Sequence, residues 1–483
     1  MPRRPMRVTD KDEALLCGAL QELRTRLDIP VDFPAEAREE AARVARGPRM
    51  PAEDATDLPL FTIDPPGSTD LDQAMYLARR APGGFRVYYA IADVAAFVTP
   101  GSALDKEAHR RVQTLYFPDG RVPLHPPVLS EGAASLLPDQ DRPAVLWRLD
   151  LDEYGALAAT DVRRAVVRSR ARLDYEGVQR AIESGTAEEP LSLLRDIGQL
   201  REERERARGG ISLNVPEQEI VLRDGQYRLA YRAPLPADGW NAQLSLLTGM
   251  AAADLMLHSG TGILRTLPAA PDGAVGRLRR TARALGVDWP HHTSYAELIR
   301  GLDPHRSTHA AFLQECTALL RGAGYTVFDG TPPDSAHALH SAVAAPYAHA
   351  TAPLRRLADR YVGELCLAAA AGKPVPEWVR AALPALPEEM AEGGRRANRV
   401  ERECVDLVEA AVLHNRIGDL FDGYVIDVHD ERPHQGTIHL CDPAVIGRVE
   451  TTPEAPPLTL GAPLRVRLTA AHPGRASVHF VPA

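Results

Sequence analysis

The hydrophobic period of this chain switches along its length, from helical to strand-like, back to helical and again to strand-like. That succession calls for an α+β fold with separate helical and sheet regions rather than one repeated layer. Leu16, Leu20, Leu23 and Leu27 recur at helical spacing. The break "IPVDFP" then separates them from a second helix expected to end near Gly47. Two helices of this size fit either a helix-turn-helix module or a simple packed pair. After the proline- and acid-rich link "PRMPAEDATDLP", the run "FRVYYAIADVAAFV" and the turn "TPGS" announce a buried sheet from Leu60 to about Leu151. Helical periodicity with many arginines is expected between Arg163 and Gly209. A hairpin turning at Asp224-Gly225 follows, and helices then dominate from Asn241 to about Leu420. In the final stretch "LRVRL" alternates, so Leu464, Val466 and Leu468 should face inward while Arg465 and Arg467 face water. Five short strands there fit a small OB-type barrel.

A chain of 483 residues, 45% hydrophobic and 25% charged, is long enough to bury the cores of two or three globular domains. It has no apolar run near the ~20 residues that span a bilayer, and its first residues lack the apolar segment of a secretory signal. A cytoplasmic location with no membrane partner is therefore expected. The five cysteines stand far apart without a CxxC pair, which suggests neither a disulfide framework nor a zinc knuckle. The net charge of −9 excludes a uniformly cationic surface but leaves local phosphate sites open. Lysine occurs only at positions 11, 106 and 373, so arginine supplies almost all the cations. Arginine's planar fork suits phosphate, although codon bias explains the same preference.

The segment "FTIDPPGSTDLDQAMYL" concentrates the chemistry. Asp70 and Asp72 flank Leu71, so in an extended chain both carboxylates point to one side while the leucine points to the core. Asp64 can join them across the "PPGST" turn. Crowded carboxylates raise one another's pKa unless a cation neutralises them, and a hard divalent ion prefers such oxygens. The same residue types also build ordinary solvated turns. The order of acids is not that of an EF-hand.

This segment resembles the TID-x5-D-x-D-D element of the RNase II/RNase R (RNB) family of exoribonucleases. The likeness continues through "YYAIADVAAFVTPGSALDKEAHRR", "LYFPDGRVPLHPPVLSEGAASLLPDQDRPA" and, far downstream, "YAHATAPLRRLADRYV". The resemblance implies an RNB catalytic domain with a mixed sheet and surrounding helices at 59–418. A helical N-terminal unit at 1–58 and an OB-fold RNA-binding domain at 419–483 would flank it. It further implies processive 3′-to-5′ hydrolysis of single-stranded RNA to nucleoside 5′-monophosphates by a two-metal mechanism. Magnesium is the implied metal, with manganese able to substitute, and the chain would act as a monomer without an obligate protein partner. Asp64, Asp70 and Asp72 are the implied metal ligands, and Arg355 is the implied phosphate-gripping residue. Tyr116, Arg356 and Glu401 are the implied RNA contacts, with Glu403 as the alternative alignment for the last. Without the family, Tyr116 reads better as a core strand residue than as a base-stacking one. Pro353 reads as an early residue of a helix that carries Arg355 and Arg356 away from the stripe Leu354, Leu357, Tyr361, Leu365.

The chain departs from the pattern at several places. Gln73 stands where the family has a fourth aspartate. An amide can coordinate weakly or hydrogen-bond a water, but it supplies no anion and accepts no proton. Leu247 and Thr248 replace a family Glu-Glu pair, Val215 replaces an aromatic residue of some relatives, and the first helices take the place of two cold-shock barrels. A catalytically weak or silent RNA-binding protein is therefore the rival expectation, with DNA as a third possible substrate.

Overall fold

The fold is that of a computed structural model, described for residues 6–8, 14–213, 215, 217–223, 226–271, 273–320, 322–429, 431–440, 442–443, 445–474 and 478–483. Along the chain come helices α1 (Ala14–Arg26) and α2 (Ala35–Ala45), then strands β1 (Leu60–Ile63), β2 (Gln73–Arg79) and β3 (Phe85–Ala92). Helix α3 (Ala103–Arg111) leads to an inserted hairpin, β4 (Leu115–Phe117) with β5 (Gly120–Val122). The long strands β6 (Asp141–Leu151) and β7 (Leu157–Leu173) follow. Apart from the hairpin these strands close into a barrel in the order β1-β2-β3-β6-β7. Neighbours are antiparallel except where β7 returns beside β1 in parallel, Leu60 opposite Ser169 and Ile63 opposite Leu173.

The near-continuous apolar run in β3 has a simple cause: both faces of this sheet are covered. One face gathers small residues, Ala74, Ala90, Ala92, Ala144 and Ala165, with Ala37 and Ala41 of α2 in the same cluster. The other gathers Met75, Val87, Tyr89, Trp147 and Leu149 against the helix Pro236–Ser259 and against helix α4 (Leu357–Ala370). The two N-terminal helices thus serve different cores. Leu16, Leu20 and Leu23 of α1 pack with Val400, Cys404 and Val408 of the long helix α5 (Leu386–Leu413), beside Leu115 and Phe117 of the hairpin.

The helical expectation fails over residues 163 to 173, which belong to the long strand β7. Ala165, Val167 and Ser169 are buried at alternate positions while Arg168 and Arg170 are more exposed, so the arginine-rich stretch follows a strand period near its end; Arg164 instead turns onto the buried acids Asp93 and Glu364. Helices Tyr175–Glu183 and Glu189–Ala207 complete that region. The hairpin at 217–223 and 226–232 is antiparallel as expected, while its turn Asp224-Gly225 lies outside the described residues. From Asn241 to Leu420 helices do predominate, but strands Thr261–Thr266 and Gly324–Asp329 pair among them. Leu247 and Thr248 are core residues, the threonine hydroxyl bonding the carbonyl of Leu244.

The C-terminal strands Leu420–His429, Arg432–Leu440, Ile446–Glu450, Pro463–Ala470 and His479–Pro482 close into a five-stranded OB-type barrel. Val466 and Leu468 are buried and Leu464 partly so, whereas Arg465 and Arg467 are exposed, as the alternation required. Ala410 and Leu413 at the end of α5 share this barrel's core, which fastens it to the body.

Candidate active site

The acid loop hangs between β1 and β2. Its first end is fixed where Asp64 N–H donates to Leu173 carbonyl (3.1 Å), the last rung of the parallel pairing. Gly67 takes a φ of +80°, which an L side chain rarely adopts, and lets the chain reverse. Leu71 is fully buried, with its N–H on Ser135 Oγ (2.9 Å) and its carbonyl accepting from Leu136 N–H (3.0 Å). Asp70 and Asp72 flank that buried leucine, Asp70 partly exposed and Asp72 itself buried.

The partner segment arrives from the far end of the chain. Gly249 permits this approach, because a Cβ there would lie 2.2 Å from Tyr347 Cε2 and 2.6 Å from the Ala348 carbonyl. Ala348 N–H bonds Gly249 carbonyl (3.0 Å), and the next residues form a turn in which Arg356 N–H bonds Ala352 carbonyl (2.9 Å). Helix α4 begins only at Leu357. Arg355 therefore sits in a turn ahead of the helix, not on it. The reason is that the backbone is captured sideways: Thr114 N–H bonds Arg355 carbonyl (3.0 Å) and Leu357 N–H bonds Val112 carbonyl (2.9 Å).

These two segments meet at Asp72. Its carboxylate accepts from Leu354 N–H (2.8 Å) and from Arg355 Nε (3.1 Å), a contact across 283 residues of sequence. The Asp72 side chain is 4% exposed and that of Arg355 is 43% exposed, so the guanidinium looks out from a buried anchor. Burial pushes Asp72 up to about 7, against the Arg355 cation and the Leu354 N–H, with Asp70 adding repulsion. Asp64 is raised to about 6 for the same first reason, with Arg355 opposing and Asp70 reinforcing the shift. Asp70 is held by Arg121 (Nη1 to Oδ1, 2.5 Å). Among the described residues, no three His, Cys, Asp or Glu side chains stand close enough together to hold a metal ion. The three acids share one neighbourhood, then, but Asp70 and Asp72 are turned onto separate arginines rather than onto a common point.

Gln73 is tied down as well, its Oε1 accepting from the buried Tyr89 hydroxyl. Ser245, whose hydroxyl lies near that of Tyr89, bonds the Thr351 hydroxyl (2.7 Å). A polar chain thus links the place of the missing acid to the arginine turn. Arg356 is committed to Asp359 through Nε (3.0 Å) and Nη2 (2.8 Å), while Asp359 also accepts from Ala352 N–H (2.7 Å). Tyr116, on β4, is 42% exposed, which discards its reading as a core residue, and it lies within electrostatic reach of Arg355. Glu401 is half-buried on α5, whereas the alternative Glu403 is paired with Arg26 (2.9 Å).

The donors here are of the hard-oxygen kind that a divalent cation takes, although no three of them converge among the described residues. Asp64 is a desolvated acid with no hydrogen-bond donor on its carboxylate among the described residues, and Asp70 offers a second hard oxygen beside it. Both oxygens of Asp72 are already engaged. Arg121, Glu131, Thr69 and Tyr89 were not foreseen from sequence. The β4–β5 hairpin laid against the acid loop gives Arg121, Glu131 and Thr69 their roles, and the pairing of β2 with β3 gives Tyr89 its own.

Comparison with known proteins places these residues in a context. A family model described as "RNB domain" matches residues 52–371, and one described as "RNase II-type exonuclease C-terminal S1 domain" matches residues 419–483. Ribonuclease R of Escherichia coli (strain K12) is 28% identical over 446 residues, covering 84% of this chain and 52% of that relative. The chain spans about half the length of the curated relatives it matches. Among solved structures, Mycoplasma genitalium RNase R in complex with ribose methylated single-stranded RNA superposes with a TM-score of 0.81 at 19% identity. That match covers 97% of this chain and 78% of the other. Yeast Ssd1, a pseudonuclease, superposes with a TM-score of 0.64 at 18% identity, covering 86% of this chain and 51% of that one.

Proposed function

The chain belongs to the RNB family, and on that premise we propose that it is an exoribonuclease that removes nucleotides from the 3′ end of single-stranded RNA. The observation that carries this reading is the meeting of Asp72 with Arg355 across the whole domain, with Asp64 and Asp70 within electrostatic reach of that guanidinium and the exposed ring of Tyr116 nearby. Tyr116 offers a face on which any base can stack, a sequence-independent contact worth about 1–3 kcal/mol. Arg355 has one N–H on Asp72 and a side chain 43% exposed, an arrangement suited to a phosphate and to the charge that grows on it during attack. Asp72 anchors that guanidinium. Asp64 and Asp70 would hold magnesium, or manganese in its place, which when bound lowers the pKa of an attacking water and stabilises the leaving oxygen. Arg356 holds the turn beneath Arg355 through Asp359. Glu401, on α5, is read as a further contact to the RNA. The C-terminal barrel is read as a second RNA-binding surface. Processive action as a monomer, release of nucleoside 5′-monophosphates and a cytoplasmic location complete the reading.

Purified protein incubated with 5′-labelled single-stranded RNA and Mg2+ or Mn2+ is expected to give a shrinking ladder and mononucleotides, lost on chelation and in Asp72→Asn. RNA left intact under both metals would refute the enzymatic reading. The second reading, an RNA-binding protein that does not cut, is favoured by Gln73 being tied to Tyr89 in place of a fourth acid. A wild type that is inactive and a Gln73→Asp variant that cuts would establish it. Substrates of matched sequence with and without 2′-hydroxyls separate RNA from DNA.

A further inference from the structure

Arg121 is the one cation that crosses from the β4–β5 hairpin to the acid loop, and its bonds use nearly its whole fork. Nη1 donates to Asp70 (2.5 Å), Nη2 to Thr69 Oγ1 (2.7 Å), and Nε to Glu131 (3.2 Å), with Nη2 also 2.9 Å from Glu131. Thr69 Oγ1 in turn donates to Glu131 (3.1 Å). The guanidinium thus lies between two carboxylates, one on the loop and one on the turn Leu129–Ala133. All three ionic side chains are largely covered: Arg121 is 24% exposed, Asp70 13% and Glu131 30%. Screening by water is weaker for such groups than at an open surface.

We propose that Arg121 is a built-in counter-cation that competes with divalent metal for Asp70, and that Glu131 is the carboxylate that retains the arginine when Asp70 is drawn toward an ion. This rests on the reading that Asp64 and Asp70 hold a divalent cation. Two physical facts support it. A divalent ion placed on Asp70 meets a fixed positive charge already bonded to that carboxylate, and like charges in a partly desolvated site repel strongly. Glu131 gives the arginine a second anion at hydrogen-bond distance, so leaving Asp70 does not strand a buried cation. Arg121 is then a positioning residue that sets the metal concentration at which the acid loop is occupied. Gln73 acts in the same direction, because it removes an anion from the same loop.

The test is direct metal titration of the full chain without RNA, following free Mn2+ by its paramagnetic resonance signal at neutral pH and low salt. Arg121→Gln keeps polar bonding to Thr69 and Glu131 but removes the charge. It is expected to tighten Mn2+ binding by roughly tenfold or more. Arg121→Lys keeps the charge and is expected to stay close to wild type. Glu131→Gln leaves Asp70 as the arginine's anion and is expected to weaken Mn2+ binding several-fold, and it decides the matter should Arg121→Gln not fold. Wild type that binds Mn2+ with Arg121→Gln binding no tighter would overturn the role of Arg121 alone. If wild type, Arg121→Gln and Gln73→Asp all fail to bind Mn2+, the metal reading of the loop falls and this inference with it. If Arg121→Gln instead loses affinity for single-stranded RNA in chelator, with Mn2+ binding unchanged, Arg121 is a phosphate contact and the proposal is wrong.

Discussion

Replacing Asp72 by asparagine separates stability from function with opposite signs. The carboxylate is buried, and its pKa stands near 7 against 3.8 for an ordinary aspartate. Keeping it ionised at pH 8 therefore costs the fold on the order of 4 kcal/mol. The sign follows from proton binding: between those two values the folded chain holds a proton that the unfolded chain has released. The cost is absent below about 3.8 and complete above about 7. Asparagine keeps an oxygen for the Leu354 N–H and removes the charge, while the acceptor for Arg355 Nε is lost. That loss takes back roughly 1 kcal/mol, because Arg355 is partly solvated. Asp72→Asn is accordingly expected to be more stable than wild type by about 2–3 kcal/mol at pH 8, the gain shrinking below ~1 kcal/mol by pH 5. Denaturant unfolding of both proteins in chelator at pH 5, 6 and 8 measures this, and RNA degradation measured in parallel should be abolished. A variant less stable than wild type at pH 8, with an unchanged pH slope, would mean that Asp72 is a structural staple and that the stored-charge argument is wrong.

Two further substitutions probe the parts around it. Tyr116→Ala should leave stability within about 0.5 kcal/mol, since the ring is 42% exposed, while weakening single-stranded RNA binding in chelator by about 5- to 100-fold in a fluorescence-polarisation assay; unchanged affinity would remove the tyrosine from the RNA site. Gly249→Ala places a methyl 2.2 Å from the Tyr347 ring and should destabilise the fold by more than about 2 kcal/mol while lowering RNA degradation, because the segment leading to Arg355 must move. A variant with wild-type melting and activity would show that this approach does not position the turn.

What could be read in the sequence was local pattern carried by strong chemistry. Asp70 and Asp72 around a buried Leu71 and the alternation of the last barrel both follow from period-two geometry and the burial it enforces. The helical stripe of α1 was equally legible, although its partners on α5 were not. Strand β7 was misread because its arginines, though alternating, sit in a stretch whose composition also suits a helix. Arg355 was placed on a helix because Pro353 mimics a helix start, whereas backbone bonds from Val112 and Thr114 pull the chain into a turn first. Arg121 and Glu131 carried no signal at all: each is an ordinary charged residue until the hairpin folds onto the loop.

The backbone bonds between residues 112–114 and 355–357 have a mechanical meaning. Tyr116, on β4, lies two residues beyond Thr114, so the ring and the guanidinium ride on segments tied to one another through the main chain rather than on two independent arms. Under the proposed function, an RNA that laid its last base on one and a linkage on the other would be gauged by a caliper whose jaws are tied through backbone bonds. The length of each bite would then be written into the main chain itself.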